Sequence, residues 1–186
     1  MIVVATSNEH KLREIRDILN GGTGHRPVRT CQLSVIENGK TFEENAIKKA
    51  KAACKKTDQI AIADDSGLEV KCLNGKPGVK SARFAKPHLL CQKLLRVMKN
   101  CSDRSAQFVC VIAIAYPSGK IKIVKGICKG KIIHEMRGTN GFGYDPVFVP
   151  KGYKKTFAQM SATMKNRLSH RGKALRKLKS TLADAE

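Results

Sequence analysis

Ile60-Ala61-Ile62-Ala63-Asp64-Asp65-Ser66-Gly67-Leu68 is a short run of small and branched apolar residues that leads into two adjacent carboxylates and a Ser-Gly pair. Four consecutive apolar residues of this kind mark a buried strand, and Ser66-Gly67 signals a chain reversal, so the carboxylates are expected at a strand end beside a cleft. Two neighbouring negative charges repel unless a cation lies close. In a chain with 36 Lys and Arg against 15 Asp and Glu, an acidic pair is scarce enough to mark a candidate active site. The plainer alternative is one Asp capping the turn beside a solvated neighbour. If the strand persists through both residues, alternation sends them to opposite faces and only one enters a pocket.

Working outward, Ile2-Val3-Val4-Ala5 reads as a second strand, Thr6-Ser7-Asn8 as a turn with N-cap residues, and Leu12, Ile15, Ile18 and Leu19 as the apolar stripe of a helix that stops at Asn20-Gly21-Gly22. A strand-loop-helix unit aims the first backbone N–H groups of its helix at the loop, where an anion gains from free donors and from the helix dipole. Lys11 adds a positive charge there. Thr41-Phe42-Glu43-Glu44 has the form of a capping box opening a helix to about Lys56. Its stripe is Phe42, Ala46, Ile47, Ala50, Ala53 and Cys54, with Lys49 at the edge and placed to reach inward. A loop at Gly75-Lys76-Pro77-Gly78 precedes a helix from about His88 to Lys99, with Leu90, Leu94, Val97 and Met98 on one side. Strands at Phe108–Tyr116 and Ile121–Ile133 flank the hairpin signal Pro117-Ser118-Gly119. Residues 138 to 146 form a glycine-rich loop feeding a short strand, Val147–Val149, and the chain ends in helix with Leu168, Leu175, Leu178 and Leu182 buried. Strands alternating with helices imply an α/β fold, and 186 residues without a linker imply a single domain, 1–186.

The formal net charge of +21 implies attraction to polyanions without choosing among nucleotides, nucleic acid and anionic lipid. No zinc-finger spacing and no aromatic-rich RNA-binding strand is present, so nucleic acid is not expected as a specific partner. The seven cysteines form no C-x-x-C pair and are odd in number, which reads as reduced thiols, several in the core, in a cytoplasmic protein. The first residues lack a basic region and cleavage site, and the longest apolar stretch, Val109 to Tyr116, is too short for a membrane-spanning helix. No membrane partner is expected.

Thr6-Ser7-Asn8-x-x-Lys11, Thr41-Phe42-x-Glu44-Asn45-Ala46, Ala63-Asp64-Asp65-Ser66-Gly67-Leu68, Pro77-Gly78-x-x-Ser81-Ala82-Arg83-Phe84, Gly141-Phe142-Gly143-Tyr144-Asp145-Pro146 and Ser169-His170-Arg171 occur in this order. Six motifs in register across nearly the whole chain resemble the inosine triphosphate pyrophosphatase (Ham1-like) family. The resemblance implies an elongated, mostly mixed, twisted sheet flanked by helices, with a cleft between two lobes. It also implies a Mg²⁺-dependent homodimer that hydrolyses ITP, dITP and XTP to the monophosphate and pyrophosphate.

By the same resemblance Asp65 is the catalytic base and a Mg²⁺ ligand, Glu37 is the second carboxylate at the metal, and Asp64 supports them from outside. Thr6, Ser7, Asn8 and Lys11 form the triphosphate cradle, Lys49 completes its cationic set, and Ser66 contacts substrate. Phe142, Gly143, Tyr144 and Asp145 belong to the base-binding loop, where Phe142 offers a stacking face, and Lys165, His170 and Arg171 match nucleobase-reading positions. Asn8 as an N-cap, Ser66 and Asp145 as turn residues and His170 as an N-terminal helix residue are the structural alternatives. Ser7 and Asn140 stand where this family usually has Gly, and the connection after Phe84 is shorter than is typical. Two other readings have distinct signatures: a Maf-like pyrophosphatase of modified nucleotides, and a catalytically inactive basic nucleic-acid-binding protein.

Overall fold

The computed structural model describes residues 2–20 and 28–183. Gly21 and Gly22 of the expected helix stop lie outside the described residues. The elements are β1 (Ile2–Ala5), α1 (Glu9–Asn20), β2 (Val28–Cys31), α2 (Phe42–Thr57), β3 (Ala61–Val70), α3 (Leu90–Val97), β4 (Ser105–Ala115), β5 (Ile121–Ile132), β6 (Phe148–Pro150), α4 (Ala162–Leu168) and α5 (His170–Ala183). The six strands form one mixed sheet in the order β2-β1-β3-β4-β5-β6. β1 runs parallel to β2, with Ile2 opposite Val28, and parallel to β3, with Val3 opposite Ala61. β6 is antiparallel to β5, with Val149 opposite Lys131. The α/β expectation holds. Among the described residues no helix is long and apolar enough to cross a membrane.

The deciding stretch differs from expectation in one respect. Ser66-Gly67 does not reverse the chain; β3 continues through it for ten residues. β1 pairs with β3 only at Ala61 and Ile62, and beyond that β3 runs on beside β4, where ladder partners for its N–H and C=O groups outweigh the turn preference of Ser and Gly. The carboxylates are therefore mid-strand, and the pleat separates them.

The chain divides into two compact units, residues 1–65, 110–126 and 171–186 in one and residues 66–109 and 127–170 in the other. In the first, Ile2, Val4 and Ile62 share a core with Ile15 and Leu19 of α1, Ile112 and Ile114 of β4, and Leu175, Leu178 and Leu182 of α5. The odd-numbered positions of β3 face the other way. There α2 buries Phe42, Asn45, Ala46, Ala50, Ala53 and Cys54, and the expected stripe is met except that Ile47 is half-buried and Asn45 wholly buried.

In the second unit, Leu68, Val70, Ala106, Phe108, Cys128 and Ile132 pack one sheet face against Leu90, Cys91, Leu94 and Met98 and against Tyr144, Phe148, Phe157 and Met160. Val97, expected inside, is 43% exposed, and Cys91 takes its place. The short strand begins at Phe148 because Asp145–Val147 form a 3-10 turn. The C-terminal helix is two helices. Ser169 adopts an extended ψ of 159° and ends α4, so Leu168 packs in the second unit apart from the leucines of α5. The expectation of reduced thiols throughout fails at one pair: Cys72 and Cys101 form a disulfide. They are 29 residues apart, and only the turn after β3 and the turn after α3 bring them together. The other five cysteines are buried thiols outside any disulfide.

Candidate active site

The first loop and α1 follow from local capping. Thr6 Oγ1 accepts the Asn8 N–H at 3.2 Å, and Asn8 Oδ1 accepts the Lys11 N–H at 3.1 Å, so Asn8 is the N-cap of α1. Ser7 and Asn8 are exposed. Lys11, one turn in, points its amine at Asp64, with Nζ 3.1 Å from Oδ2.

Asp64 is buried. Besides Lys11 it accepts from Arg171, whose Nη2 and Nε lie 3.1 and 3.3 Å from Oδ2. Arg171 is only 2% exposed and also pairs with Glu14. Burial alone would raise the Asp64 pKa, but Lys11, Arg171 and Lys49 together hold it well below the usual carboxylate range. The same carboxylates overcome the burial of Arg171 and keep its guanidinium charged.

Asp65 faces α2. Asn45 Nδ2 donates to its Oδ2 at 3.0 Å, and Lys49 Nζ lies 3.9 Å from its Oδ1. Lys49 also donates to Glu37 Oε1 at 2.6 Å and to the Asp64 carbonyl at 2.7 Å. The inward reach expected of Lys49 is realised, and it brings Glu37 and Asp65 to one ammonium. Burial pushes the Asp65 carboxyl above its ordinary value, and Glu37 adds to this; Lys49, Asn45 and Lys11 oppose the shift without cancelling it. Burial works against the charge of Lys49, yet Asp64, Asp65 and Glu37 raise its pKa.

Glu37 belongs to an irregular segment that α2 pins residue by residue. Lys49 holds the Glu37 carboxylate, Lys48 donates to Asn38 Oδ1 at 2.6 Å, Asn45 Oδ1 accepts the Gly39 N–H at 2.8 Å, and Glu44 Oε2 accepts the Lys40 N–H at 2.7 Å. Positions 44, 45, 48 and 49 lie on one helix face, which is why one helix can hold four consecutive residues. Thr41 caps α2 as expected, accepting the Glu44 N–H at 3.1 Å, but Glu44 reaches one residue further back than a reciprocal box would, to Lys40. Gly39 must be small here: a Cβ would lie 2.6 Å from Asn45 Oδ1.

The second unit holds the glycine-rich loop. Asp145 Oδ2 accepts the Phe142 N–H at 2.8 Å and pairs with Lys165 Nζ at 2.7 Å. Lys165 also sits 4.6 Å from the centroid of the Phe142 ring. Gly141 has φ +77°, and a Cβ would come within 2.1 Å of Asp145 Oδ2, so glycine is required for this closure. Tyr144 is buried and donates to the Ser81 carbonyl at 2.9 Å, and the Cys91 thiol approaches the Gly143 carbonyl at 3.2 Å. These two contacts form the frame beneath the loop. His170 is buried and stacks on Phe108, centroids 4.7 Å apart at 9°. Ser66 is half-buried within β3.

The structure thus gathers Lys11, Asp64 and Arg171 into one network, Glu37, Lys49 and Asp65 into another, and Phe142, Asp145 and Lys165 into a third. Asn45, present in the second motif but given no role there, and Glu14 and Gly39, outside every motif, are the residues added by the structure. Asn45 was discoverable, as a polar residue within the apolar stripe of α2.

This chain belongs to the Ham1 family, matching it over residues 2–181. It is 48% identical to the dITP/XTP pyrophosphatase of Desulfotalea psychrophila over 97% of this chain and 84% of that protein, and 44% identical to the dITP/XTP pyrophosphatase of Bacillus licheniformis over 99% and 98%. Among solved structures, the Ham1 protein of Staphylococcus aureus covers all of both chains at 38% identity and a TM-score of 0.85. The HAM1 protein of Coxiella burnetii covers 98% of each at 38% identity and 0.88.

Proposed function

We propose that this chain hydrolyses the bond between the α and β phosphates of non-canonical purine nucleoside triphosphates, dITP, XTP and ITP, releasing the monophosphate and pyrophosphate with Mg²⁺ as cofactor. Near-full-length identity to dITP/XTP pyrophosphatases supports the substrate class. The observation that carries the mechanism is the joining of Glu37 and Asp65 by Lys49, with Asn45 fixing Asp65.

The residues fit a hard divalent cation. Mg²⁺ is held by one or two carboxylates together with substrate phosphates, and Glu37 and Asp65 are two oxygen donors sharing one cationic neighbour. Asn45 supplies the outer hydrogen bond that orients such a ligand. Bound there, Mg²⁺ would neutralise phosphate charge and lower the pKa of a coordinated water.

The other steps belong to the chain. Asp65, held by Asn45 and beside Lys49, accepts the proton of the attacking water. Thr6, Ser7 and Asn8 present the start of α1 to the phosphates. Lys11 and Lys49 stabilise the charge that develops on the departing pyrophosphate, and Ser66 contacts the substrate from β3. Asp64 acts from behind, holding Lys11 in place, while Arg171 fixes the Asp64 carboxylate.

In the second unit, Phe142 offers a stacking face for the purine, within the frame that Gly143, Tyr144 and Asp145 provide. Lys165 and His170 read the 6-carbonyl. Hypoxanthine and xanthine present an acceptor at that position, whereas adenine presents a donor that leaves the site's donors unmatched. The resemblance also carries a homodimeric, cytoplasmic, single-domain enzyme; light scattering checks the assembly.

Initial rates with ITP, dITP, XTP, GTP and ATP, with and without Mg²⁺, test the proposal by pyrophosphate detection. ITP and XTP are expected to turn over well above ATP, and Asp65→Asn to be nearly inactive. Orthophosphate as first product, or equal rates with ATP, would overturn it.

A further inference from the structure

The positive charge is unevenly placed, and the proposed hydrolysis does not use most of it. The unit made of residues 66–109 and 127–170 carries 17 Lys and Arg against four Asp and Glu, a formal +13 of the chain's +21. All four acids have a polar partner. Asp145 pairs with Lys165, Asp103 with Lys71 and Glu135 with Arg137, while Glu69 accepts from Gln107 at 2.7 Å.

Strand alternation sorts the rest. The even positions of β3, β4 and β5 in this unit form the core described above, and Glu69, Ser105, Gln107, Lys129 and Lys131 fall on the opposite face. That face forms the floor of a hollow of about 750 Å³, closed on one side by residues 149 to 153 and lined also by Lys71. Lys129, Lys131 and Lys151 are exposed.

The segment after β6 reads Lys151-Gly152-Tyr153-Lys154-Lys155. Gly152 has φ +86°, so the chain turns there and carries a 37% exposed tyrosine between lysines. Lysines set around a polar floor, next to an exposed aromatic ring, are the elements of a single-strand site, in which cations follow the backbone and a ring stacks a base.

We propose that this hollow binds single-stranded nucleic acid without sequence preference, Lys129, Lys131 and Lys151 meeting phosphates and Tyr153 stacking a base. A polymer fits better than a free nucleotide because Lys154 and Lys155 extend the positive track beyond the hollow. Glu69 at the floor is held by Gln107 and adds a single negative charge against the lysines.

The test is fluorescence anisotropy of a labelled single-stranded DNA with the full chain in EDTA, so that metal-dependent chemistry plays no part. Three phosphate contacts give a log–log salt slope of about −2, a loss of about twentyfold between about 50 and 200 mM salt. The Lys129→Ala/Lys131→Ala/Lys151→Ala variant should flatten the slope by about 2 and weaken binding at least about tenfold at low salt. Tyr153→Ala should weaken it by about tenfold with the slope unchanged.

A control that removes the same charge from α2, Lys51→Ala/Lys55→Ala/Lys56→Ala, should bind as the parent does. Folding is checked by thermal melts, and nucleoside triphosphate turnover by the lysine variant should equal the parent's. Absence of binding by the parent at low salt would overturn the proposal, as would equal loss in the control. Displacement of the strand by AMP as readily as by unlabelled strand would mark a mononucleotide pocket instead, and equal binding of polyglutamate would remove the role of Tyr153; either result overturns it.

Discussion

Replacing Asn45 by Ala removes one side chain that does two things. Its amide donates to Asp65 at 3.0 Å and accepts from the Gly39 N–H at 2.8 Å, and the residue is fully buried. A hydrogen bond to a charged group contributes about 1.5–3 kcal/mol and a neutral one about 1 kcal/mol, so the variant should lose about 3 kcal/mol of stability, read as a shifted urea midpoint. The functional effect is separable from this loss. Asp65 loses a bond that stabilises its ionised form, and Gly39 loses the tie that holds the Glu37 segment to α2. Loss of such an orienting partner costs about 10–100-fold in metal affinity or activity. The assay is a Mg²⁺ titration of the initial rate with ITP, corrected for the folded fraction. Asn45→Asp sharpens it: that side chain can still accept from Gly39 but sets a second carboxylate against Asp65, so its rate should fall below that of the Ala variant. If Asn45→Ala is less stable but keeps the parental Mg²⁺ dependence and kcat, Asn45 does no more than pack, and the reasoning fails.

Arg171→Met should destabilise the protein by about 3–5 kcal/mol in urea unfolding, because Asp64 and Glu14 stay buried without their shared cation; adding Asp64→Asn should recover part of the loss. Gly141→Ala should raise KM for ITP several-fold while leaving the first unit's lysine–carboxylate contacts intact, since the new methyl displaces Asp145 and, with it, Lys165; an unchanged KM would show that this ion pair does not shape the base site. Burial, with Asp145 adding to it, pushes the Cys91 thiol up to about 11 from an ordinary 9.0. A raised thiol pKa favours the folded state while the thiol is protonated, so this contribution is complete below pH 9 and is lost as the pH rises through about 11. Iodoacetamide labelling of Cys91, followed by mass spectrometry at pH 9, should therefore lag far behind labelling of the unfolded chain.

The fold was largely legible because β1, α1 and α2 carry both periodicity and caps. Where it was misjudged, the decisive interaction was distant in sequence. Ser66-Gly67 has turn chemistry, and only the neighbouring β4, distant in sequence, keeps it in strand. Val97 and Cys91 exchange places because the face α3 buries is set by what packs on it. Cys72 and Cys101 meet only through two separate turns. Lys49 could be anticipated from its place at the stripe's edge and Asp65 from its order among the motifs. The pinning of residues 37 to 40 could not, because it uses polar side chains whose targets have no periodicity. Arg171 shows the converse: its motif position suggests contact with a base, whereas the structure sets it between Asp64 and Glu14.

The unbroken course of β3 has a genetic consequence. Two neighbouring codons specify the same amino acid, yet the pleat turns Asp64 toward α1 and α5 and Asp65 toward α2. A comprehensive substitution library should separate them by phenotype: losses at 64, which strand Arg171 and Lys11, should lower abundance more and be partly rescued by lower growth temperature, while losses at 65 should abolish activity even where abundance is restored. Deleting one residue between Ala61 and Asp64 would exchange the two environments while leaving the local composition almost unchanged, so the strand tolerates substitution in its apolar half far better than any change of length.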